Sequence, residues 1–302
     1  MIGNSRSWRP GRRARGFALG AGVLALAHAA AAVALVLRDD LGRSVDAPND
    51  PRRVITLLPS LTETVCALGA CDRLVATGRF DNWPPEIVKL PKVGGLGDVN
   101  IEQIVELHPD LVLYSNAQRV GARLSELGIA AFALQTDRYA DIGRTVRIVG
   151  RLLGVPARAA ALNARIRREV AQVRAEALAA RRGAAPRVYF EVDPAPYAAG
   201  PASYIGELLT MLGARNIVGA ALGAFPLLNP EYVVRRDPDV IFVARADAPH
   251  LAARPGWAGI TAVREHRLCS FSQKTRDLIM RPGPRVAEGM RAIADCLKRE
   301  AP

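Results

Sequence analysis

Side chains able to do covalent or metal chemistry are scarce in this chain. Histidine occurs at four positions, His28, His108, His250 and His266, and none falls in an H-E-x-x-H or nucleophile-elbow pattern. His108 stands at a helix end before Pro109, and His250 and His266 sit in polar, loop-like sequence. The four cysteines include no C-x-x-C pair and no Cys/His cluster of zinc spacing, which argues against a structural metal. Gly94-Gly95-Leu96-Gly97 is rich in glycine but lacks the G-x-G-x-x-G spacing, and no Walker sequence is present. Ser60 and Ser203 precede helix starts, where capping is the ordinary role of a serine. An exported hydrolase would have little to work with, so the chain reads as a non-enzyme with no cofactor. Aromatic residues are also few, at 5% of the sequence against 50% hydrophobic residues overall. Those outside apolar strands therefore stand out.

Acidic residues are outnumbered, leaving a formal charge of +12. That balance invites a nucleic-acid reading, but Arg6, Arg9, Arg12, Arg13 and Arg15 all precede the first long apolar run. The remaining basic residues are spread thinly, with no Lys/Arg block beside aromatics, whereas nucleic-acid binding needs a clustered basic face. The arginines, the Ala/Leu-rich run from about Phe17 to Ala34 and the small residues Ala30 and Ala32 together read as a cleavable export signal over 1–32. No cysteine follows closely enough for a lipid anchor. The alternative is an uncleaved anchor, because Phe17 to Leu37 is nearly long enough to span a bilayer. Cys66, Cys71, Cys269 and Cys296 suit an oxidising compartment such as the periplasm and permit three pairings. Proximity in sequence favours Cys66–Cys71 and Cys269–Cys296.

After the apolar run, Leu35-Val36-Leu37 and the residues to Val45 read as a strand and a turn. From Val54 strands and helices alternate: Val54 to Leu58, a tight Pro59-Ser60 turn, a helix carrying Glu63, and short strands near Leu74, Leu111 and Ala131. Such alternation indicates a parallel sheet covered on both faces. Gly154 and Pro156 then break a helical region, and Pro156 to about Arg182 reads as one helix of about 26 residues, roughly 40 Å long. Alternation resumes with a strand at 187–192. The expected architecture is α/β: two Rossmann-like lobes, 33–155 and 184–302, joined by a single long rigid helix, 156–183, with a ligand cleft between the lobes.

Internal repetition supports two related lobes. Asn100, Glu102, Pro109, Asp110 and Leu111-Val112-Leu113 recur in the same spacing as Asn229, Glu231, Pro238, Asp239 and Val240-Ile241-Phe242. In each copy the Asn starts a helix, the Pro-Asp ends it, and a buried strand follows. Glu63 and Leu68-Gly69-Ala70 likewise match Glu207 and Leu212-Gly213-Ala214. Ligands of open α/β sheets sit beyond the carboxyl ends of the strands. The loops there carry Pro59, Ser60, Phe80 to Trp83 and Leu96 in the first lobe, and Asp193 to Tyr197, Phe225, Arg276 and Asp277 in the second. Trp83, Tyr197 and Phe225 in loops of both lobes point to a large, flat, partly apolar ligand. Glu102 and Glu231 are matched helix-start carboxylates, suited to arginine pockets on two related subunits of a partner.

Arg53 to Glu63, Val93 to Glu102, Pro109 to Val112, Gly200 to Asn216 and Arg281-Pro282-Gly283-Pro284-Arg285, taken in order, resemble the helical-backbone substrate-binding proteins of ABC importers. The resemblance covers nearly everything after residue 32. It implies a periplasmic, monomeric receptor that takes up cobalamin, haem or a ferric siderophore and delivers it to an inner-membrane permease dimer through Glu102 and Glu231. The nearest resemblance is to the cobalamin-binding members, whose aromatic positions correspond to Trp83, Tyr197 and Phe225. One corrin-contacting tryptophan of those members is Leu96 here. Haem-binding members place a tyrosine ligand in that loop, and neither Gly95 nor Leu96 ligates iron. Arg79 and Arg276 leave a siderophore open. A membrane-anchored sensor or interaction protein built on the same lobes is the alternative from another class.

Overall fold

The computed structural model describes residues 1–4, 35–181, 183–194 and 196–302. The chain divides into Met1–Ala32 and Val33–Pro302; residues 1–4 of the first unit have no regular secondary structure. The expected export signal otherwise lies outside the described residues. The second unit opens with the hairpin β1 (Leu35–Arg38) and β2 (Ser44–Ala47), the strand and turn expected there. Asp39 closes the turn by accepting the backbone N–H of Leu41 and of Arg43 at 3.0 and 2.9 Å.

Two sheets of like topology follow. The first is built from β3 (Val54–Thr56), β4 (Leu74–Thr77), β5 (Leu111–Ser115) and β6 (Ala131–Leu134), all parallel, in the order β4-β3-β5-β6. Every residue of β3, β5 and β6 is buried, as apolar strands covered on both faces must be. Helices α1 (Pro59–Ala67), α2 (Ile101–Glu106), α3 (Gly121–Glu126) and α4 (Tyr139–Leu152) connect and cover these strands. After α5 (Pro156–Ala180) comes β7 (Arg187–Asp193), joined by an added antiparallel strand β8 (Tyr197–Ala198), then α6 (Tyr204–Met211), β9 (Arg215–Asn216) and α7 (Pro230–Arg236). The chain continues through β10 (Val240–Ala244), α8 (Thr261–Arg264), β11 (Leu268–Phe271), α9 (Gln273–Met280) and α10 (Val286–Glu300). Without β8 the parallel order is β9-β7-β10-β11, which repeats that of the first sheet.

The repeated motif has a physical basis in both copies. Asn100 accepts the N–H of Gln103, and Asn229 accepts the N–H of Glu231, so each caps its helix. Each helix stops at a residue with left-handed backbone just before proline, His108 at φ 44° and Asp237 at φ 40°. Proline disfavours the α conformation in the residue before it, so the helix cannot continue. The aspartate after that proline then secures the neighbouring central strand. Asp110 Oδ2 accepts the N–H of Arg52 and of Arg53 at 2.7 and 2.8 Å, next to β3. Asp239 Oδ2 accepts the N–H of Arg187 at 2.7 Å, at the start of β7.

Helix α5 runs 25 residues, about 38 Å at 1.5 Å per residue. Its buried side is Ala159, Leu162, Asn163, Ile166, Val170 and Val173, a helical stripe packed against α4 on one side and α10 on the other. The approach to α4 is close: a Cβ on Gly150 would come within 2.4 Å of the Ala159 Cβ, so only glycine fits there. Arginines tie both ends of the helix to matching helix ends of the two lobes. Arg158 donates to the carbonyls of Leu68 and Gly69 at 3.3 and 3.1 Å, and Arg181 to that of Gly213 at 3.4 Å. Both expected disulfides are formed: Cys66–Cys71 closes the end of α1, and Cys269–Cys296 joins β11 to α10.

Candidate ligand cleft

Three of the segments expected as loops are regular structure. Pro59 and Ser60 form the first turn of α1 rather than a turn before it. A proline is tolerated there because the first helical N–H has no intrahelical partner. Ser60 is therefore not an N-cap; that place belongs to Leu58, and no side chain caps the helix. The Ser60 hydroxyl is buried with no hydrogen-bond partner among the described residues, and a Cβ on Gly283 would lie 3.5 Å from the Ser60 Cβ. Ser203 does cap α6, accepting the N–H of Gly206 at 3.0 Å. Arg276 and Asp277 lie on α9, capped by Ser272, and Tyr197 lies on β8.

The first lobe offers the segment after β4. Asp81 is its buried anchor, accepting hydrogen bonds from the Thr62 hydroxyl and, at 3.2 Å, from the Gly78 N–H. Thr62 in turn shares a hydrogen bond with Thr56 at 2.6 Å. Lys92 Nζ donates to the Asp81 carbonyl and to Thr77 Oγ1 at 2.8 and 2.7 Å. Burial pushes the Asp81 carboxyl up to about 6, against the pull of Thr62 and Lys92. With its carboxylate turned inward, Asp81 fixes a segment whose Phe80 and Trp83 remain exposed. The glycine-rich segment serves as a tight turn: Gly94 has φ 104°, and a Cβ there would come within 2.3 Å of the Asp98 carbonyl oxygen. Asp98 accepts the Gly95 N–H at 2.9 Å and pairs with Arg79. This turn leaves Leu96 55% exposed and brings Gly95 against the Phe80 ring, where a Cβ on Gly95 would come within 3.2 Å of Phe80 Cε2.

The second lobe offers Tyr197 and Phe225. Tyr197 bridges to Leu227, and Ala198 N–H donates to the Pro226 carbonyl at 3.0 Å, so β8 runs alongside the bend that carries Phe225. Arg276 does not face open solvent; its guanidinium donates to the Val192 carbonyl at the end of β7. Next to it, Asp277 accepts from Asn82 Nδ2 of the first lobe at 2.8 Å.

Arg281 and Arg285 complete the contact between lobes. Arg281 reaches Glu63 at 3.1 Å, Asn82 Oδ1 at 2.8 Å, the Phe80 carbonyl at 3.1 Å and Asp277 at 3.2 Å. Arg285 grips Glu63 with two hydrogen bonds of 2.9 Å and stacks over Trp83, its Cζ 4.7 Å from the ring centroid. Trp83, Glu63 and Arg285 also line a cavity of about 750 Å³ against Arg165 and Glu169 of α5. Arg281 and Arg285 were absent from the residues expected at the cleft, and Asn82 entered only within the Phe80 to Trp83 loop, with no role of its own. The available signal was the pair of arginines flanking Pro282-Gly283-Pro284, where the prolines leave the chain irregular and the side chains free to reach across.

Away from the cleft, Glu102 and Glu231 occupy the first turns of α2 and α7, where a carboxylate favours the helix dipole. Both are exposed. Glu231 keeps only a loose contact to Arg235 at 3.5 Å, and Glu102 has no ion-pair partner among the described residues. Two matched helix starts thus present matched carboxylates to solvent, one per lobe.

A sequence model of the periplasmic binding protein family matches residues 54–275. The chain is 27% identical over 272 residues to YvrC of Bacillus subtilis, an uncharacterized ABC transporter substrate-binding lipoprotein, covering 87% of this chain and 85% of that protein. It is 30% identical over 268 residues to a cobalamin-binding protein of Halobacterium salinarum, covering 85% and 72% of the two chains. Among solved structures it is similar to the periplasmic heme-binding protein RhuT of a Roseiflexus species. That match has TM-score 0.74 and 25% identity, over 83% of this chain and 99% of that one. The family match spans both sheets and the helix that joins them, and on that ground the chain belongs to the periplasmic binding proteins of ABC importers.

Proposed function

We propose that this chain captures cobalamin or a related corrinoid between its lobes in the periplasm and delivers it to an inner-membrane ABC permease dimer. One observation carries the ligand class. Among the described residues four aromatic side chains are exposed, Phe80, Trp83, Tyr197 and Phe225, and all four lie in segments at the carboxyl ends of strands, two per lobe. Aromatic surface left in water in these loops is the mark of a binding site. Beside them Asn82, Asp277 and Arg281 supply the few polar groups that would orient an amide-fringed macrocycle. The cobalamin-binding relative in Halobacterium supports the same reading. In it, residues 1–32 are a cleaved export signal, 33–155 and 184–302 are the lobes of a monomeric receptor, and 156–183 is the backbone helix. The two disulfides accord with an oxidising compartment.

Titration of the chain lacking residues 1–32 with cyanocobalamin, hemin and a ferric siderophore, followed by tryptophan fluorescence, tests the proposal. Trp83 stands exposed in a cleft segment, whereas Trp257 is fully buried, and the difference between the parent and Trp83→Phe gives the Trp83 share of the quenching. Saturable quenching by the corrinoid is expected. No binding of any corrinoid by folded protein would overturn the ligand.

Haem is the second reading, favoured by the phenol of Tyr197, 41% exposed, because tyrosine can hold haem iron. Tyr197→Phe separates the two. A corrinoid site loses one contact, about 1 kcal/mol or roughly fivefold in affinity, whereas a haem site ligated by Tyr197 loses its haem spectrum.

A further inference from the structure

Glu63 and Glu207 hold the same place in the two copies of the fold, each ahead of a matching Leu-Gly-Ala helix end. Neither carboxylate stays within its own lobe. Glu63 on α1, its side chain 3% exposed, binds Arg285 through both oxygens at 2.9 Å and Arg281 at 3.1 Å; both arginines border α9 and α10 of the second lobe. Glu207 on α6 of the second lobe binds Arg138 Nε at 2.5 Å with one oxygen. Its other oxygen binds the Tyr139 N–H at 2.7 Å, at the start of α4. Each lobe therefore extends its own version of one glutamate into the other. The contacts are charge-assisted and two-pronged, the geometry that fixes orientation as well as distance.

We propose that Glu63 and Glu207 are reciprocal interlobe latches that hold the cleft at one width. The backbone helix alone would leave rotation about its axis and bending open. Two crossing contacts related by the internal duplication remove those motions, because opening one side must break bonds on it. Glu63 is the stronger latch: it is buried, and removing either partner would leave a desolvated charge. Glu207 has a more exposed partner, Arg138 at 52%, and is the latch that can be exchanged without burying a new charge. The Glu63 latch also sets Arg281 and Arg285 against Asn82 and Trp83, so cleft width and the placing of these groups change together.

The latches can be tested on ligand-free protein. All four native cysteines are in disulfides, so Ala122→Cys and Ala252→Cys, at exposed positions of the two lobes, give two labelling sites for a distance measurement by electron paramagnetic resonance. A single narrow distance distribution is expected for the parent, and a broader one shifted to longer distance for Glu63→Gln with Glu207→Gln. If that double variant fails to fold, the exchange pair decides. Glu207→Arg alone should broaden the distribution, and adding Arg138→Glu should narrow it again. A loss of packing unconnected with the latch would not be repaired in this way. An unchanged distribution in folded Glu63→Gln/Glu207→Gln protein, or no narrowing on adding Arg138→Glu, would overturn the proposal.

Discussion

At Asp81 a single carboxyl couples the cleft to pH. Its value of about 6 in the folded chain stands above the ordinary 3.8. The folded chain therefore binds more protons than the unfolded chain between those values, and stability falls as pH rises through that window. Above about pH 6 the buried carboxylate costs on the order of 3 kcal/mol at most, the balance that remains after Thr62, Lys92 and Gly78 have reduced the penalty of burial. Asp81→Asn should raise stability at about pH 7.5 relative to the parent, and the advantage should shrink towards about pH 4.5. Urea unfolding at the two pH values measures this; an advantage independent of pH would contradict the buried-carboxyl account. The role of Asp81 was not legible in the sequence, because nothing in Arg79-Phe80-Asp81-Asn82 tells which polar side chain turns inward. The aromatic neighbours were legible as exposed groups, since Trp83 and Phe225 sit among prolines and glycines rather than in apolar runs.

At the scale of the element, the repeated Pro-Asp has two parts with different work. The proline stops the helix, and the aspartate ties that stop to the central strand of its sheet. Asp239 accepts the Arg187 N–H and also pairs with its guanidinium at 2.7 Å, while burial is outweighed by these contacts and its carboxyl is held below the ordinary range. Asp239→Ala should thus cost about 1–3 kcal/mol, as for a backbone donor left unpaired, and Asp239→Asn appreciably less. Thermal unfolding of both variants checks the order. Helix α5, the buried strands and the Asn caps could all be read from periodicity and spacing. Helix α9 could not: Ser272-Gln273-Lys274-Thr275-Arg276-Asp277 is polar throughout, and its one buried residue, Ile279, comes too late to show a helical stripe. Pro59 misled in the other direction, since a proline after a strand fits a turn as well as the first position of a helix.

For the whole molecule, duplication is the organising fact. The same four-stranded order occurs twice, and the glutamates that match across the copies divide into two kinds. Glu63 and Glu207 turn inward and meet the opposite lobe, whereas Glu102 and Glu231 face solvent. The inward pair could be recognised in sequence only as a repeat, because the partners Arg138, Arg281 and Arg285 lie far away along the chain. The outward pair is proposed to meet arginines of the two permease subunits. Glu102→Ala and Glu231→Ala should each slow uptake by cells while leaving the affinity of the purified receptor unchanged, since neither lies at the cleft. Loss of ligand affinity in either folded variant would move that glutamate into the binding site. The central claim, a receptor that carries a corrinoid and does not transform it, is tested most directly by the absorption spectrum of this chain isolated from its native envelope. Corrinoid bands that travel with the folded protein and pass, on unfolding, into the small-molecule fraction as the intact vitamin are predicted; a haem Soret band in their place would contradict the account.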